Sequence, residues 1–294
     1  MQKKITENKH IQIANDTMYY IYKYIDTDIN LDDLASSFDL SRVHFQKVFK
    51  EQMGKNIYET IKDIRLHKAS NLLLTNKSST ITQIANMCGY SSQTSFIRAF
   101  KQRFNQTPKE WKNGGFKEYS NKILKDNEVI FDAMEQYKGI EPLIVKLKPS
   151  IAYYVRNMGY RKAKIQKVWQ KIQAWKYTNE IEKYEEVAFY HDNPVITPAD
   201  DCFYIAGVVV KEKKDLSNTK LPHFKIPGGL YASFEINGVH GDIQRFIQWV
   251  YQEWLPSSGF ETTTNPPHTV FKQNHYTHES KRFIATFYLP IQFS

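Results

Sequence analysis

Residues 88–104 read CGYSSQTSFIRAFKQRF, and they describe one helix with two unlike faces. At about 100° per residue, Phe96, Ile97, Phe100 and Phe104 gather on one side. Thr94, Ser95, Arg98, Lys101 and Gln102 gather on the other. A face that only meets water is usually rich in Glu and Lys paired at i,i+4. This one holds no acid and favours Gln, Thr, Ser and Arg, side chains that can reach base edges and phosphates.

The same pattern occurs once before in the chain. LDDLASSFDLSRVHFQKVFKEQM (31–53) lies over ITQIANMCGYSSQTSFIRAFKQRF (81–104), pairing Leu31 with Ile81, Leu34 with Ile84, Ala35 with Ala85 and Phe38 with Cys88. After one inserted Ser, Phe45 pairs with Phe96, Phe49 with Phe100, Lys50 with Lys101 and Met53 with Phe104. Each copy reads as a short helix, a tight turn and a second helix, capped by Ser41 in the first copy and by Ser91 or Ser92 in the second. The small Ala falls where two helices must approach closely, which is the helix-turn-helix outline. In the first copy Val43, Gln46, Lys47 and Lys50 share the arc opposite Phe45, again without an acid at its centre.

Between the copies, IYETIKDIRLHKASNLLL (57–74) reads as a long amphipathic helix with Ile57, Ile61, Ile64, Leu72 and Leu73 inward. A continuous helix is a stiff spacer, so it should hold the two second helices at a fixed separation. Successive turns of one major-groove face, about 34 Å apart, are the matching target.

Composition agrees with two domains and a polyanionic partner. The chain has 294 residues, 41% of them hydrophobic, and a formal net charge of +9. Residues 1–113 hold 17 Lys/Arg against 11 Asp/Glu, and residues 114–294 hold 23 against 20, so the basic excess leans to the front. Two cysteines, Cys88 and Cys202, lie far apart in apolar settings and predict neither a disulfide framework nor a thiolate zinc site. The longest apolar run is YIAGVVV, and the polar start QKKITENKHIQ has no signal core; the expectation is a cytoplasmic protein with no membrane partner.

Residues 15–113 resemble the DNA-binding domain of AraC/XylS-family bacterial transcription regulators. The resemblance is carried by Leu31, Ala35, Ser41, Phe45, Phe49, Lys50 and Gly54, then by Arg65, Leu66, Ala69, Leu72 and Leu73. Ile84, Ala85, Gly89, Tyr90, Phe96, Arg98, Phe100, Lys101, Phe104, Thr107, Pro108 and Trp111 complete it. The family's Gly before Thr-Pro is Asn105 here, which also enters the left-handed region, and its terminal Arg is Lys112. The resemblance implies double-stranded DNA as partner, with base contacts from Val43, Gln46 and Lys47 and from Gln93, Thr94, Ser95 and Arg98. Gln suits an adenine edge, Arg98 guanine, and Val43, unless it is simply packed, a thymine methyl. Lys50 and Lys101 suit phosphates. Action as an activator through RNA polymerase is a further implication.

The second half carries its own duplication. AYYVRNMG (152–159) followed by IQKVWQKIQAW resembles YASFEING (231–238) followed by IQRFIQWVYQEW, with Gly159 over Gly238 and Trp175 over Trp254. Each reads as a strand, a Gly turn and a helix, followed by two strand-like runs: EVAFYH and CFYIAGVVV, then HTVFKQ and RFIATFYLPI. The expected fold class is therefore an all-α N-terminal domain of two helix-turn-helix units and an α+β C-terminal domain of duplicated strand-helix-strand-strand units. The expected boundaries are 1–113, a linker with at most one short element over 114–140, and 141–294. YHDNPVITP (190–198), IPGGLYASF (226–234), WLPSSGFE (254–261) and FYLPI (287–291) make this half similar to GyrI-like effector-binding domains. The resemblance implies a small-molecule effector; some such domains are hydrolases.

Cation-binding members of that family place an acid just before the run that is Phe-Tyr-Leu-Pro here, and an Asp after the Tyr of the matching strand. This chain has Thr286 and Ile205 at those positions. A pocket lined by Phe203, Ile205, Ile284, Thr286 and Tyr288 is thus expected to take a neutral or weakly polar, aromatic ligand, and to lack the base that hydrolysis needs. Otherwise Ile205 and Thr286 are core residues of a domain that has lost its ligand and contacts another protein. His268, His275 and His278, in or near the loop-like NHYTHES, are expected as solvated residues rather than a metal site, and Trp169, Trp175, Trp249 and Trp254 as core. No Gly-rich phosphate loop or nucleophile elbow is present, so neither cofactor nor catalytic residue is expected.

Overall fold

The computed structural model describes residues 2–127, 137–216, 219 and 221–293. The chain divides into two compact units, Met1–Asn113 and Gly114–Ser294. The first contains α1 (Gln2–Lys23), α2 (Leu31–Ser36), α3 (Arg42–Met53), α4 (Ile57–Thr75), α5 (Ile81–Met87), α6 (Gln93–Phe104) and the short α7 (Pro108–Glu110). The caps are local in the sequence and form locally. The Ser41 side chain accepts from His44 N–H, Ser92 from Ser95 N–H, and Asn56 and Thr80 close capping boxes with Glu59 and Gln83. α3 ends at Gly54 and α6 at Asn105, both left-handed, each returning its N–H to the fourth residue before it.

Two hydrophobic centres organise this unit. Phe45, Val48 and Phe49 of α3 pack with Leu34, Ala35, Ile57 and Ile61, and α1 covers them with Ile13 and Ile21, joined by Ile25 of the turn that follows it. In the second, Phe96, Phe100 and Phe104 are wholly buried, and Trp111 lies against Phe100 and Phe104 at ring distances of 5.4 and 4.5 Å. Its indole donates to the Ser70 carbonyl of α4 at 3.2 Å. Arg65 of α4 ties the two together. It donates to the carbonyls of Ile25 and Thr27 on one side, while Gly89, at φ +75°, leaves room for it on the other: a Cβ there would lie 2.9 Å from its guanidinium.

The second unit is a curled antiparallel sheet with helices. β1 (Leu143–Leu147), β2 (Ser150–Met158), β3 (Tyr184–Tyr190), β4 (Phe203–Val210), β5 (His223–Ile226), β6 (Gly229–Gly238), β8 (His268–Gln273) and β9 (Phe283–Phe293) run in the order β1-β6-β9-β8-β3-β4-β2-β5. β7 (Phe260–Thr262) pairs the end of β9. The order is symmetric: β2, β3 and β4 of the first repeat match β6, β8 and β9 of the second, the halves meet where β3 pairs β8, and β5 and β1 add an edge to each. α9 (Lys162–Thr178) and α10 (Asp242–Trp249) occupy equivalent places in the two repeats. Part of the stretch expected as linker is helical: α8 (Phe116–Asp126) meets α10 through Gln248, which donates to Ser120 and Asn121 at 2.7 Å. Residues 128–136 of that stretch lie outside the described residues.

Strand alternation separates two faces of the sheet. Tyr204 on β4 and Phe287 on β9 point toward the helices, Tyr204 bonding the Trp169 indole at 2.9 Å and Phe287 meeting Phe246 of α10. All four tryptophans of α9 and the α10 region are buried, as expected. A polar group lies under α9: Glu186 of β3, buried, accepts from Lys176 (2.6 Å), Gln173 (2.7 Å) and Asn274 (2.8 Å).

Candidate nucleic-acid interface and effector face

Ser41 and Ser92 start α3 and α6, and burial of Phe45/Phe49 and Phe96/Phe100 fixes the rotation of both helices. Their opposite faces are therefore turned outward. Val43 is 79% exposed, which overturns the packing alternative for it; Lys47 and Lys50 are exposed, and Gln46 is half-buried. In α6, Gln93, Thr94, Ser95, Arg98 and Lys101 are all exposed. Among the described residues no acid lies within ion-pair distance of Lys47, Lys50, Arg98 or Lys101. Some of these side chains are held from behind: Thr82 of α5 donates to the Gln93 amide oxygen at 3.0 Å, and the Ser95 hydroxyl donates to the Ser92 carbonyl. Arg42, at the first position of α3, is anchored by Asp32 at 2.8 Å and by Tyr58. An outward, acid-free face anchored at its N-terminal end can approach phosphates and groove edges without like-charge cost.

In the second unit, the register brings the expected effector residues to the sheet face away from the helices. Thr286 stands opposite Glu235 of β6 on one side and Val270 of β8 on the other; Tyr288 stands opposite His268, and Ile205 opposite Phe189, itself opposite His268. Thr286 and Ile205 therefore share a face but are separated by β8 and β3. Ile205 is buried in a cluster with Phe189, Val187, Val209 and Tyr154, so it acts as the floor of that face. Phe203 and Tyr288 are half-buried, and Ile284 is exposed.

Two features of this face differ from the expectation. A carboxylate is present: Glu235 accepts from Thr286 at 2.7 Å and from Lys272 at 2.8 Å, and the hydrogen bond from Lys272, then that from Thr286, holds it below the usual carboxylate range. It comes from a neighbouring strand, so inspection of β9 and β4 alone misses it. The histidines also depart from a solvated loop. His268 is a strand residue, 3% exposed, stacked between the rings of Phe189 and Tyr288 with Tyr231 edge-on. Its burial pushes its pKa down to about 3, so the ring is neutral. His275 is buried too, against Tyr276 and Phe283, and only His278 is exposed. No group of three His, Cys, Asp or Glu among the described residues is placed to hold a metal. The face offers π surfaces around a neutral imidazole, with one neutralised carboxylate at its rim.

The comparisons fall along the same division. Residues 34–114 match a helix-turn-helix domain model, and residues 140–292 match the GyrI-like small molecule binding domain. The xylose operon regulatory protein of Escherichia coli K12 is 35% identical over 96 residues, 33% of this chain and 24% of that one; this chain therefore spans about a quarter of it. A probable transcription factor, PqrA of Proteus vulgaris, is 33% identical over 109 residues, 35% of this chain and 88% of the relative. Among solved structures, the C-terminal domain of AraT, a response regulator from Geobacillus stearothermophilus, is 27% identical, covering 34% of this chain and 84% of its own, with a TM-score of 0.33. The chain belongs to the GyrI-like small molecule binding domain family, with an AraC-type helix-turn-helix domain in front.

Proposed function

We propose that this protein is a transcription regulator that reads duplex DNA with α3 and α6 and responds to a small effector held on the sheet face of its second unit. The observation that carries the reading is the pair of outward, acid-free helix faces in register. Val43, Gln46, Lys47, Gln93, Thr94, Ser95 and Arg98 are the base readers, and Lys50 and Lys101 the phosphate contacts. Phe203, Tyr288 and Ile284, with His268 between the repeats, form the aromatic surface that an effector covers, over Ile205 and Thr286. With Glu235 already paired, a neutral or weakly polar aromatic molecule fits this surface better than a cation. Activation through RNA polymerase in the cytoplasm is the accompanying expectation. No described helix is long and apolar enough to cross a membrane.

A hydrolase reading gains one observation, the carboxylate of Glu235. It is a poor general base in this setting, because Lys272 and Thr286 hold it ionised and below its ordinary pKa. Genome-wide mapping of DNA bound by the intact protein tests the regulator reading: discrete promoter peaks sharing one motif support it, and occupancy that follows only DNA abundance contradicts it.

A further inference from the structure

In the second unit α9 reads KAKIQKVWQKIQAWKYT, with five lysines and no acid. Its inward side is fixed by Ile165, Val168, Trp169, Ile172 and Trp175, all buried. At about 100° per residue, Lys164, Lys167, Gln170, Lys171, Ala174 and Thr178 then share an outward arc of about 120°. All six are exposed. Among the described residues no acid lies within ion-pair distance of Lys164, Lys167 or Lys171. Asp200, within electrostatic range of Lys164, is taken by Arg161, which donates to both of its oxygens at 2.9 Å. The lysine of α9 that turns inward, Lys176, has its acid in Glu186.

Like charges three and four residues apart destabilise a helix, and Lys164, Lys167 and Lys171 repeat that cost with no acid between them. α10, in the equivalent place of the other repeat, opens on Asp242, has no lysine, and is covered by α8, where Gln248 donates to Ser120 and Asn121 at 2.7 Å. One position in the duplicated fold is thus covered in one repeat, and bare and basic in the other. Lys164 and Lys171 lie about 10.5 Å apart along the helix axis. Each strand of a duplex presents a phosphate about every 3.4 Å of its axis, so the three lysines can meet phosphates of one strand. Gln170 and Thr178 add neutral donors for phosphate oxygens, and the small Ala174 lets a rigid surface approach. An acidic protein is the poorer match, because interface cores are depleted of lysine and built on aromatic, Met and Arg anchors. The exposed aromatic of α9, Tyr177, lies only at the edge of the arc.

We infer that the outer face of α9 is a second, sequence-independent nucleic-acid contact, in which Lys164, Lys167 and Lys171 hold phosphates of duplex DNA outside the boxes read by α3 and α6. Lysines are compact, strongly hydrated charges that add affinity and salt dependence without reading bases. The inference rests on the regulator reading for its partner: a chain already held on a duplex by its first unit meets phosphates at high effective concentration.

The test is anisotropy titration of the intact protein, at several salt concentrations, on a duplex of about 60 base pairs holding the preferred site and on a random duplex of that length. The triple variant Lys164→Gln, Lys167→Gln, Lys171→Gln is expected to lower the salt slope by about two to three on both duplexes and to weaken binding about tenfold at physiological salt. Replacing the same three by Arg should preserve the slope. Neutralising three other exposed lysines of the second unit, Lys146, Lys148 and Lys225, should leave it unchanged. All these residues are exposed, and an unchanged unfolding midpoint will show that each variant folds. An unaltered slope in the α9 triple, or an equal loss from the control triple, would overturn the contact. So would loss of promoter activity with DNA affinity unchanged, which points to an acidic protein partner instead. Failure of the regulator reading shows separately, as parent protein that binds the two duplexes alike.

Discussion

The Thr286 hydroxyl donates a 2.7 Å hydrogen bond to the carboxylate of Glu235, its register partner across β6 and β9, and Lys272 binds the other oxygen of that carboxylate at 2.8 Å. The acid that the last strand lacks is thus supplied from its neighbour, already neutralised. Removal of Lys272 should bare it. Lys272→Ala is expected to raise affinity for tetraphenylphosphonium roughly threefold to tenfold over triphenylphosphine oxide, with Glu235→Gln abolishing the gain. Fluorescence titration of the intact protein measures both ligands, and an unchanged ratio in Lys272→Ala would place Glu235 outside the effector's reach.

Two cations of α6, Arg98 and Lys101, should fail differently. Arg98→Ala is expected to cost about 1–3 kcal/mol at one base pair and to relax selectivity there, while Lys101→Ala should weaken all sequences alike and lower the salt slope by about one. Binding curves on the preferred site and its single-base variants, at several salt concentrations, separate the two outcomes.

Buried neutral histidines give the second unit an acid weakness. The pKa values of His268 and His275 are each pushed down to about 3, chiefly by burial, against an ordinary 6.5. A group depressed in the folded state charges first in the unfolded chain. Stability is therefore full above about pH 6.5 and falls as the pH drops from there toward 3, by up to about 1.4 kcal/mol per pH unit for each ring. Urea unfolding followed by tryptophan fluorescence at pH 7.5 and 5 should show the loss, and His268→Phe should remove only its own share, because His191, pushed down to about 3 by burial, and His240, also lowered, contribute as well.

The buried pair under α9 invites a different comparison. Glu186→Ala leaves Lys176 charged and buried, and is expected to destabilise by about 3–5 kcal/mol, whereas the double change Lys176→Met with Glu186→Leu should lie near the parent. Denaturant midpoints of the single and double variants decide this.

What the sequence disclosed followed the range of the interaction. Caps, left-handed ends and helical periodicity are local, so Ser41, Asn105 and the inward Ile57, Ile61 and Ile64 can be read directly, and the structure only chooses Ser92 over Ser91. α1 is legible in the same way: Ile13, Thr17 and Ile21 recur every fourth residue and are buried, with Ile25 following in the turn past its end, although the charged start of the helix hides the stripe. The repeats of the second half survive as matching Gly and Trp positions. Strand neighbours do not, because register is set by pairings as far apart as Leu143 and Ser233. Nothing local places Glu235 beside Thr286, buries His268 between Phe189 and Tyr288, or adds β1 and β5 at the edges.

The central claim is that α3 and α6 together read duplex DNA. Selection of binding sites from random duplexes by the intact protein, at physiological salt, tests it most directly. Two short conserved boxes with centres about 10–10.5 base pairs apart are predicted, one degraded by Gln46→Ala and the other by Arg98→Ala. No enrichment over the starting pool, or a single box indifferent to either substitution, would contradict it.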